Sequence, residues 1–346
     1  MLDAVVIGGG PSGSASAVRL AQAGMKVALF EKSKLPRRKL CGGFLSAESL
    51  PELQSLGVLE RLRAAGAWPV DRLVVASPGG VQATTALSKP ALAVSRSLLD
   101  SLLLDQARAS GVDVFEGTDG FAHIRDGRWT VVACGRTPLP RKKIEGPKYY
   151  GIQALFEDVP TVTDQIELDF ISGAYMGWVR VEKHRVNLCA LVGQDYLQRW
   201  GHDLDRMFRE FMTMNPCLMK HMKNARRLNA WMAVGPSITG FRKLHEDGTF
   251  FIGDAACVVD PFVGEGMAMG LVGSRWLAEA LTQEAVAPAL LYQKLWHRSF
   301  DRPRQIQNLL HKMLHRPVLQ EMIVRFSGAF PSVLGWLAER TRPSLA

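Results

Sequence analysis

Apolar positions in this chain form short continuous runs near the N-terminus, alternate with polar residues through the middle and follow a helical period toward the C-terminus. Residues 4–7 (AVVI) predict a first strand. Gly8-Gly9-Gly10-Pro11-Ser12-Gly13, a helix from Ser14 to Ala23 and a second apolar run from Lys26 to Phe30 ending at Glu31 follow it. Leu50, Leu53, Leu56, Leu59 and Leu62 recur every three residues and predict helical core over 46–66. Residues 71–94 predict two short strands around Pro78-Gly79-Gly80, and Ser95 to Asp100 open a helix that runs to about Ser110. Val112 to Phe115 predicts another strand. Alternating apolar positions then predict strands at Lys148 to Phe156, Gln165 to Phe170, Tyr175 to Val181 and Arg185 to Val192, followed by a Met-rich helix from Asp203 to Met214. After a buried strand at Phe250 to Ile252, residues 267–340 read as mainly helical: Met267 to Glu284, Pro288 to Asp301, Pro303 to Leu314 and Pro317 to Phe326.

Two glycine-rich loops interrupt this pattern. The first is G-x-G-x-x-G with a strand before it, a helix after it and an acid about twenty residues on. Gly8 permits a tight turn, Gly10 lets backbone approach a pyrophosphate, and Gly13 allows close packing of helix on strand. Glu31 can take the two hydroxyls of an adenosine ribose and argues against a 2′-phosphate there. The second loop runs from Gly253-Asp254 through Asp260-Pro261 to Gly264 and Gly266 and opens an Ala/Met/Leu helix. Asp254 can accept hydrogen bonds from a polyol chain, and its glycines let backbone come close to a planar ring. The helix start near Gly266 favours an anion in front of it.

These two segments, some 240 residues apart, together resemble the FAD-dependent oxidoreductases of the para-hydroxybenzoate hydroxylase superfamily. Within it, Arg38-Lys39-Leu40-Cys41-Gly42-Gly43 is similar to the K-x-C-G-G element of geranylgeranyl reductases. Gly173 to Val179 (GAYMGWV) is similar to the Y-x-W-x-F-P element that lines their substrate cavity. The resemblance covers most of residues 1–280. It implies an α/β fold: a Rossmann-like, glutathione-reductase-like FAD-binding domain with an interleaved antiparallel substrate domain and a helical C-terminal region. The expected boundaries are 1–70, 95–145 and 235–285 for the first, 71–94 and 146–234 for the second, and 286–346 for the third. It further implies that Ser12, Lys32, Arg38, Cys41, Gly42, Arg96, Pro261, Gly264, Gly266 and Met267 join Gly8, Gly10, Gly13, Glu31 and Asp254 around FAD, while Cys41, Tyr175 and Trp178 serve the reaction. Tyr149 and Tyr150 are further candidates for the cavity wall. Relatives carry A-D-G where this chain reads Ala133-Cys134-Gly135. The missing carboxylate weakens NADPH-driven hydroxylation and leaves flavin binding intact.

Composition narrows the partners. With 346 residues the chain can bury a substantial core, and 47% hydrophobic with 22% charged residues is ordinary for a globular protein. A net charge of +9 suits an anionic membrane surface, an acidic carrier domain or the anionic cofactors themselves, and without one basic run it predicts no nucleic-acid partner. Five scattered cysteines without C-x-x-C predict neither zinc nor a disulfide framework, and suggest a reducing, cytoplasmic setting. His311 and His315 stand four apart with no evident third ligand, so no metal site is predicted. No signal peptide or transmembrane span is expected. The apolar stretch Val318 to Leu337 is broken by Glu321, Arg325 and Pro331, so it is not expected to cross a bilayer; it suits an amphipathic lid or a membrane-resting surface, which would place the protein at most peripherally there.

With no acid/base pair, nucleophile triad or metal cluster evident, the hard chemistry falls to the flavin. Three outcomes are expected to compete: hydride transfer to or from a hydrophobic small molecule, oxygenation of an aromatic or polyketide substrate, and a flavin-binding redox partner with little catalysis. Halogenation is a minor branch of the second, for which the chain offers no W-x-W-x-I-P element and no suitably placed lysine. NADPH is a candidate external reductant. The substrate is expected to arrive free, on a carrier or from a membrane; the oligomeric state is not readable.

Overall fold

The computed structural model describes residues 1–136, 148–160, 164–171, 174–201, 203–237, 239–283, 287–314 and 316–344. Gly173, Glu284 and His315 therefore lie outside the described residues. Among the described residues the chain builds a six-stranded sheet, a nine-stranded sheet and a small two-stranded one.

The six-stranded sheet is a parallel core with one antiparallel edge. Leu2–Ile7 lies at its centre, paired in parallel with Val27–Glu31 on one side and Gly127–Val132 on the other. Thr249–Phe251 and Asp113–Glu116 extend it in parallel, and the short His245–Glu246 turns back on the edge. A parallel strand covered on both faces requires continuous burial, and residues 4–7 and 27–31 are all buried. The helices Pro11–Gln22, Arg96–Ala109 and Gly266–Thr282 supply that cover.

The second sheet runs Tyr149–Glu157, Val186–Gly193, Ala174–Arg180, Gln165–Ile171, Trp68–Ala76 and Gln82–Ala93, antiparallel except where Trp68–Ala76 meets Gln165–Ile171 in parallel. Its residues point alternately to two covers. One face packs on the helices Leu204–Met214 and Pro216–Met222 through Phe156, Trp178, Phe208 and Phe211. The other faces the cavity described below.

Three elements depart from the periodicity. The helix expected over 46–66 is two, Ser49–Ser55 and Leu59–Ala64, because Gly57 takes φ +74° between them and closes the first. The helices expected on either side of Arg302 are one, Pro288–Leu314. Pro303 removes a single hydrogen bond, and the buried side chains of Tyr292, Trp296 and Phe300 keep the helix seated before it. Met232–Ser237 is a strand against Tyr149–Glu157 that alternation did not disclose, since Gly235 and Pro236 blur its pattern. After Pro317–Ala329 a further helix, Pro331–Arg340, folds back over the nine-stranded sheet. Among the described residues no helix is long and apolar enough to cross a membrane.

Candidate functional site

Both glycine loops open onto one cavity of about 300 Å³ between the two sheets. At its N-terminal end each glycine is explained by what a side chain would meet. Gly8 adopts φ +111°, and a Cβ there would stand 2.6 Å from the Ala133 carbonyl oxygen. A Cβ on Gly13 would stand 1.9 Å from the Gly8 carbonyl oxygen, so Gly8 is consumed by close approach to the Ala133 backbone and Gly13 by the packing of its helix on the turn. Gly10 differs: its nearest neighbour would be Arg96 Nη2 at 3.5 Å, and it lines the cavity. No side chain caps the helix that starts there, which leaves its first-turn N–H groups facing the place where an anion would lie.

Behind this turn lies Glu31, 4% exposed. It accepts hydrogen bonds from the Gly9 N–H at 2.8 Å and the Ser33 N–H at 2.9 Å, with the Arg37 guanidinium 3.4 Å away. Burial alone would raise its pKa; those partners outweigh burial and hold the carboxyl below its ordinary range. Arg37 also reaches the fully buried Asp100 at 3.0 Å, and Arg96 grips the same carboxylate in a fork at 2.7 and 2.9 Å. Arg96 is thereby fixed in the cavity wall. Lys32 is exposed and outside it.

The second loop is built in the same way. A Cβ on Gly253 would meet Ser12 Oγ at 2.4 Å, and one on Gly270 would meet it at 2.2 Å. Ser12 thus wedges both segments of the distant motif against the first, besides bordering the cavity. Asp254 lies in the wall 3.8 Å from Arg136. Pro261, Gly264, Gly266 and Met267 follow it, and no side chain caps the helix Gly266–Thr282. Its positive end therefore faces the cavity. Between the glycines stands Glu265, 2% exposed, to which Ser46 Oγ donates at 2.9 Å. Burial, then the nearby Glu48 carboxylate, push Glu265 up to about 8, against the pull of Arg342 and Ser46.

The loop from Arg38 to Gly43 closes the wall between them. Cys41 Sγ lies 3.9 Å from Met267 Sδ, and Gly43 N–H points at it from 3.4 Å. The buried amide of Asn187 donates to the carbonyl oxygens of Cys41 at 2.9 Å and Gly42 at 2.7 Å, and is itself oriented by Gln153. Arg38 turns outward to Asn229 and Ala230 and does not line the cavity. Its neighbour Lys39 does. The cavity reaches the Lys39 side chain and leaves it accessible, yet protein packs densely around it, and this burial together with the Arg96 and Arg37 charges lowers its pKa to about 8. At the departed element, Ala133, Gly135 and Arg136 line the cavity, while burial raises the Cys134 thiol so that it keeps its proton and supplies no charge.

On the substrate side the pleat separates two residues that the sequence grouped. Tyr175 and Gly177 face the cavity; Trp178 faces the opposite cover, 2% exposed, donating to Asp169 at 2.8 Å with its ring tilted against His221 at 5.0 Å. The structure therefore does not bring Trp178 to the site, because three residues along a strand reverse the face. Tyr150 likewise packs on the far cluster. The Tyr175 hydroxyl lies 3.5 Å from Asp260, which also accepts from the Phe262 N–H at 2.8 Å and bonds His311 of the helix Pro288–Leu314. Tyr149 meets His311 edge-on at 5.7 Å. Burial, then Asp260, hold the Tyr175 phenol far above its usual pKa, so it stays neutral. Leu310, Ile323, Val324, Leu334 and Leu337 of the C-terminal helices complete an apolar roof.

Sequence reasoning missed Asn187, Glu265 and the placement of Lys39. The first two had a signal: an asparagine amid the apolar run 186–193, and an acid between two loop glycines. Lys39 was read as the lysine of the K-x-C-G-G element without a role of its own, and the structure puts it in the cavity wall.

Residues 1–137 match the family described as FAD binding domain. Over 89% of its length the chain is 27% identical to menaquinone reductase of Mycobacterium tuberculosis (strain ATCC 25618 / H37Rv), covering 84% of that protein. Over 81% it is 23% identical to 1H-pyrrole-2-carbonyl-[peptidyl-carrier protein] brominase of Pseudoalteromonas luteoviolacea, covering 77% of it. Among solved structures, a geranylgeranyl bacteriochlorophyll reductase-like protein from Thermoplasma acidophilum superposes with a TM-score of 0.79 at 17% identity, over 98% of this chain and 96% of that one. A flavin-dependent brominase superposes with a TM-score of 0.79 at 18% identity, over 98% and 93%. The open face of Gly10, the two uncapped helix starts and Asp254 between them fit a cofactor with a pyrophosphate at one end and a ring system at the other.

Proposed function

From the premise that this chain is an FAD-dependent enzyme of the para-hydroxybenzoate hydroxylase superfamily, we propose that it moves a hydride between flavin N5 and a carbon of a hydrophobic small molecule. The substrate is polyketide, prenyl or lipid-like, and the outcome is alkene reduction or the reverse dehydrogenation. Bound FAD supplies the two-electron chemistry. The protein's own residues hold, orient and exclude. With FAD bound, Glu31 would hold the adenosine ribose, Gly10 and the helix behind it would receive the pyrophosphate, and Asp254 would accept from the ribityl hydroxyls. The N-terminus of Gly266–Thr282 favours negative charge on the pyrimidine edge. Tyr175 and the apolar roof keep water from the reacting carbon.

One observation carries this reading. The Cys41-Gly42 backbone is held by Asn187 from the nine-stranded sheet, and its thiol lies against Met267 at the start of the cofactor-facing helix. A small, immobile thiol wall of that kind suits close approach of an apolar carbon to a ring. Relatives named as a menaquinone reductase and a geranylgeranyl reductase-like protein support it. NADPH is the external reductant we propose, and the cytoplasmic side of a membrane the place where such a substrate is met.

A second reading, oxygenation of an aromatic or polyketide substrate, draws on the Lys39 amine in the wall, which burial and the Arg96 and Arg37 charges lower to about 8, so that it gives up its proton more readily than an ordinary lysine. Incubation with NADPH, dioxygen and candidate substrates separates the two by product mass. A change of two hydrogens supports hydride transfer, and gain of one oxygen overturns it. A flavin that reductant bleaches but that turns over none of the candidate substrates would leave only a redox partner with little catalysis.

A further inference from the structure

The helices Pro317–Ala329 and Pro331–Arg340 are apolar on both sides. Inward, Ile323, Val324, Leu334 and Leu337 line the cavity. Outward, Val318, Met322 and Phe326 form a straight file at four-residue spacing, 70%, 59% and 55% exposed. The file is about 12 Å long at 1.5 Å per residue. The Phe330 ring stands 4.9 Å from that of Phe326, and Trp336 on the next helix and Leu309 on the helix before are likewise exposed. A helix on a protein surface normally turns its polar face to water. Here that face is bulky and apolar, which is the arrangement expected where the outer side also leaves water.

The charges around the file state what it leaves water for. Among the described residues from Leu309 to Arg340, exposed Lys312, Arg316, Arg325 and Arg340 stand against one exposed acid, Glu339, while Glu321 is partly covered and paired with Arg325 at 2.7 Å. Arg340 lies over the Trp336 ring at 5.4 Å, pairing an indole with a cation. A second copy of this chain would bring the same cations against these and be repelled. Exposed Phe and Trp interspersed with exposed Lys and Arg is the composition of a helix lying in the headgroup layer of anionic lipid.

We propose that the outward faces of these two helices rest on an anionic lipid bilayer, so that a lipophilic substrate passes from the acyl region between them into the cavity their inner faces line. The passage rests on the hydrophobic-substrate reading above; the docking does not. The FAD-loaded full chain is floated through a density gradient with vesicles of phosphatidylcholine alone or mixed equally with phosphatidylglycerol. It is expected to rise with the mixed vesicles and about tenfold less with the neutral ones or at about 0.5 M salt. Phe326→Ser combined with Phe330→Ser, both exposed and so of little consequence for folding, is expected to keep its flavin spectrum and thermal midpoint and to float about tenfold less. Wild-type protein that stays at the bottom, or a variant that floats equally, overturns the proposal. So does a wild-type dimer that the variant converts to monomer, or capture by an acidic acyl carrier protein in place of lipid. Turnover of detergent-dispersed substrate reports on the hydride-transfer reading separately.

Discussion

At the scale of single residues, Glu265 carries the sharpest pH signature. Its folded pKa of about 8 lies above the ordinary 4.5, so the folded state binds this proton more tightly than the unfolded chain does. The stabilisation is therefore complete below about pH 4.5 and is lost progressively as pH rises through about 8, at about 1.4 kcal/mol per pH unit at most. Glu167 and Asp169, also buried and raised, act in the same direction. Glu265→Gln isolates one of the three: urea unfolding from pH 5 to 8 is expected to show a shallower loss of stability in the variant than in wild type, and parallel slopes would show that Glu265 is ionised throughout. Asp254→Ala is expected to purify with little flavin, read from the ratio of visible to protein absorbance, and full yellow stoichiometry would remove Asp254 from the ribityl role. Legibility at this scale followed the backbone. Gly10, Asp254 and Gly266 were readable because a loop between strand and helix leaves each residue one role. Tyr175 and Trp178 were grouped because the motif match was taken without its parity, although residues three apart on the strand expected over Tyr175 to Val181 fall on opposite faces.

At the scale of elements, the fit between the helices Pro11–Gln22 and Gly266–Thr282 depends on Ser12 occupying the space that Gly253 and Gly270 leave. Gly270→Ala places a methyl 2.2 Å from Ser12 Oγ and 3.3 Å from its Cβ. The expected cost is about 1–3 kcal/mol of stability, with weakened flavin retention because both cofactor-facing helix starts shift. Ser12→Ala removes the nearer contact, so the double variant is expected to recover most of the loss. Thermal midpoints of the four proteins give the coupling; additive losses would mean that the two helices adjust independently. The parallel strands and their helices were legible because continuous apolar runs punctuated by glycine have few other solutions. The split at Gly57, the unbroken helix through Pro303 and the strand Met232–Ser237 were not. Each turns on whether tertiary packing overrides a local breaker, and periodicity does not contain that term.

At the scale of the whole molecule, the cavity has walls from both sheets, and Asn187 is the fastening between them. Its amide, 2% exposed, reaches from the nine-stranded sheet to the carbonyl oxygens of Cys41 and Gly42, whose loop leaves the end of the parallel sheet near Glu31. Asn187→Ala leaves both carbonyls and the Gln153 amide without this partner, a cost of about 1–3 kcal/mol in buried surroundings. A cofactor that touches both layers binds only where they are correctly apposed, and at a hundred times its dissociation constant it adds about 2.7 kcal/mol to stability. If Asn187 holds that apposition, its loss weakens FAD affinity. Stripped Asn187→Ala then starts from a lower thermal midpoint than stripped wild type and also gains fewer degrees when FAD is added. Asp254→Ala shrinks the same increment from the other wall, while leaving the midpoint of the stripped protein nearly unchanged because its side chain is half in the cavity. Equal increments in wild type and Asn187→Ala would mean that FAD is held by the parallel-sheet layer alone, and that the nine-stranded sheet serves only the substrate.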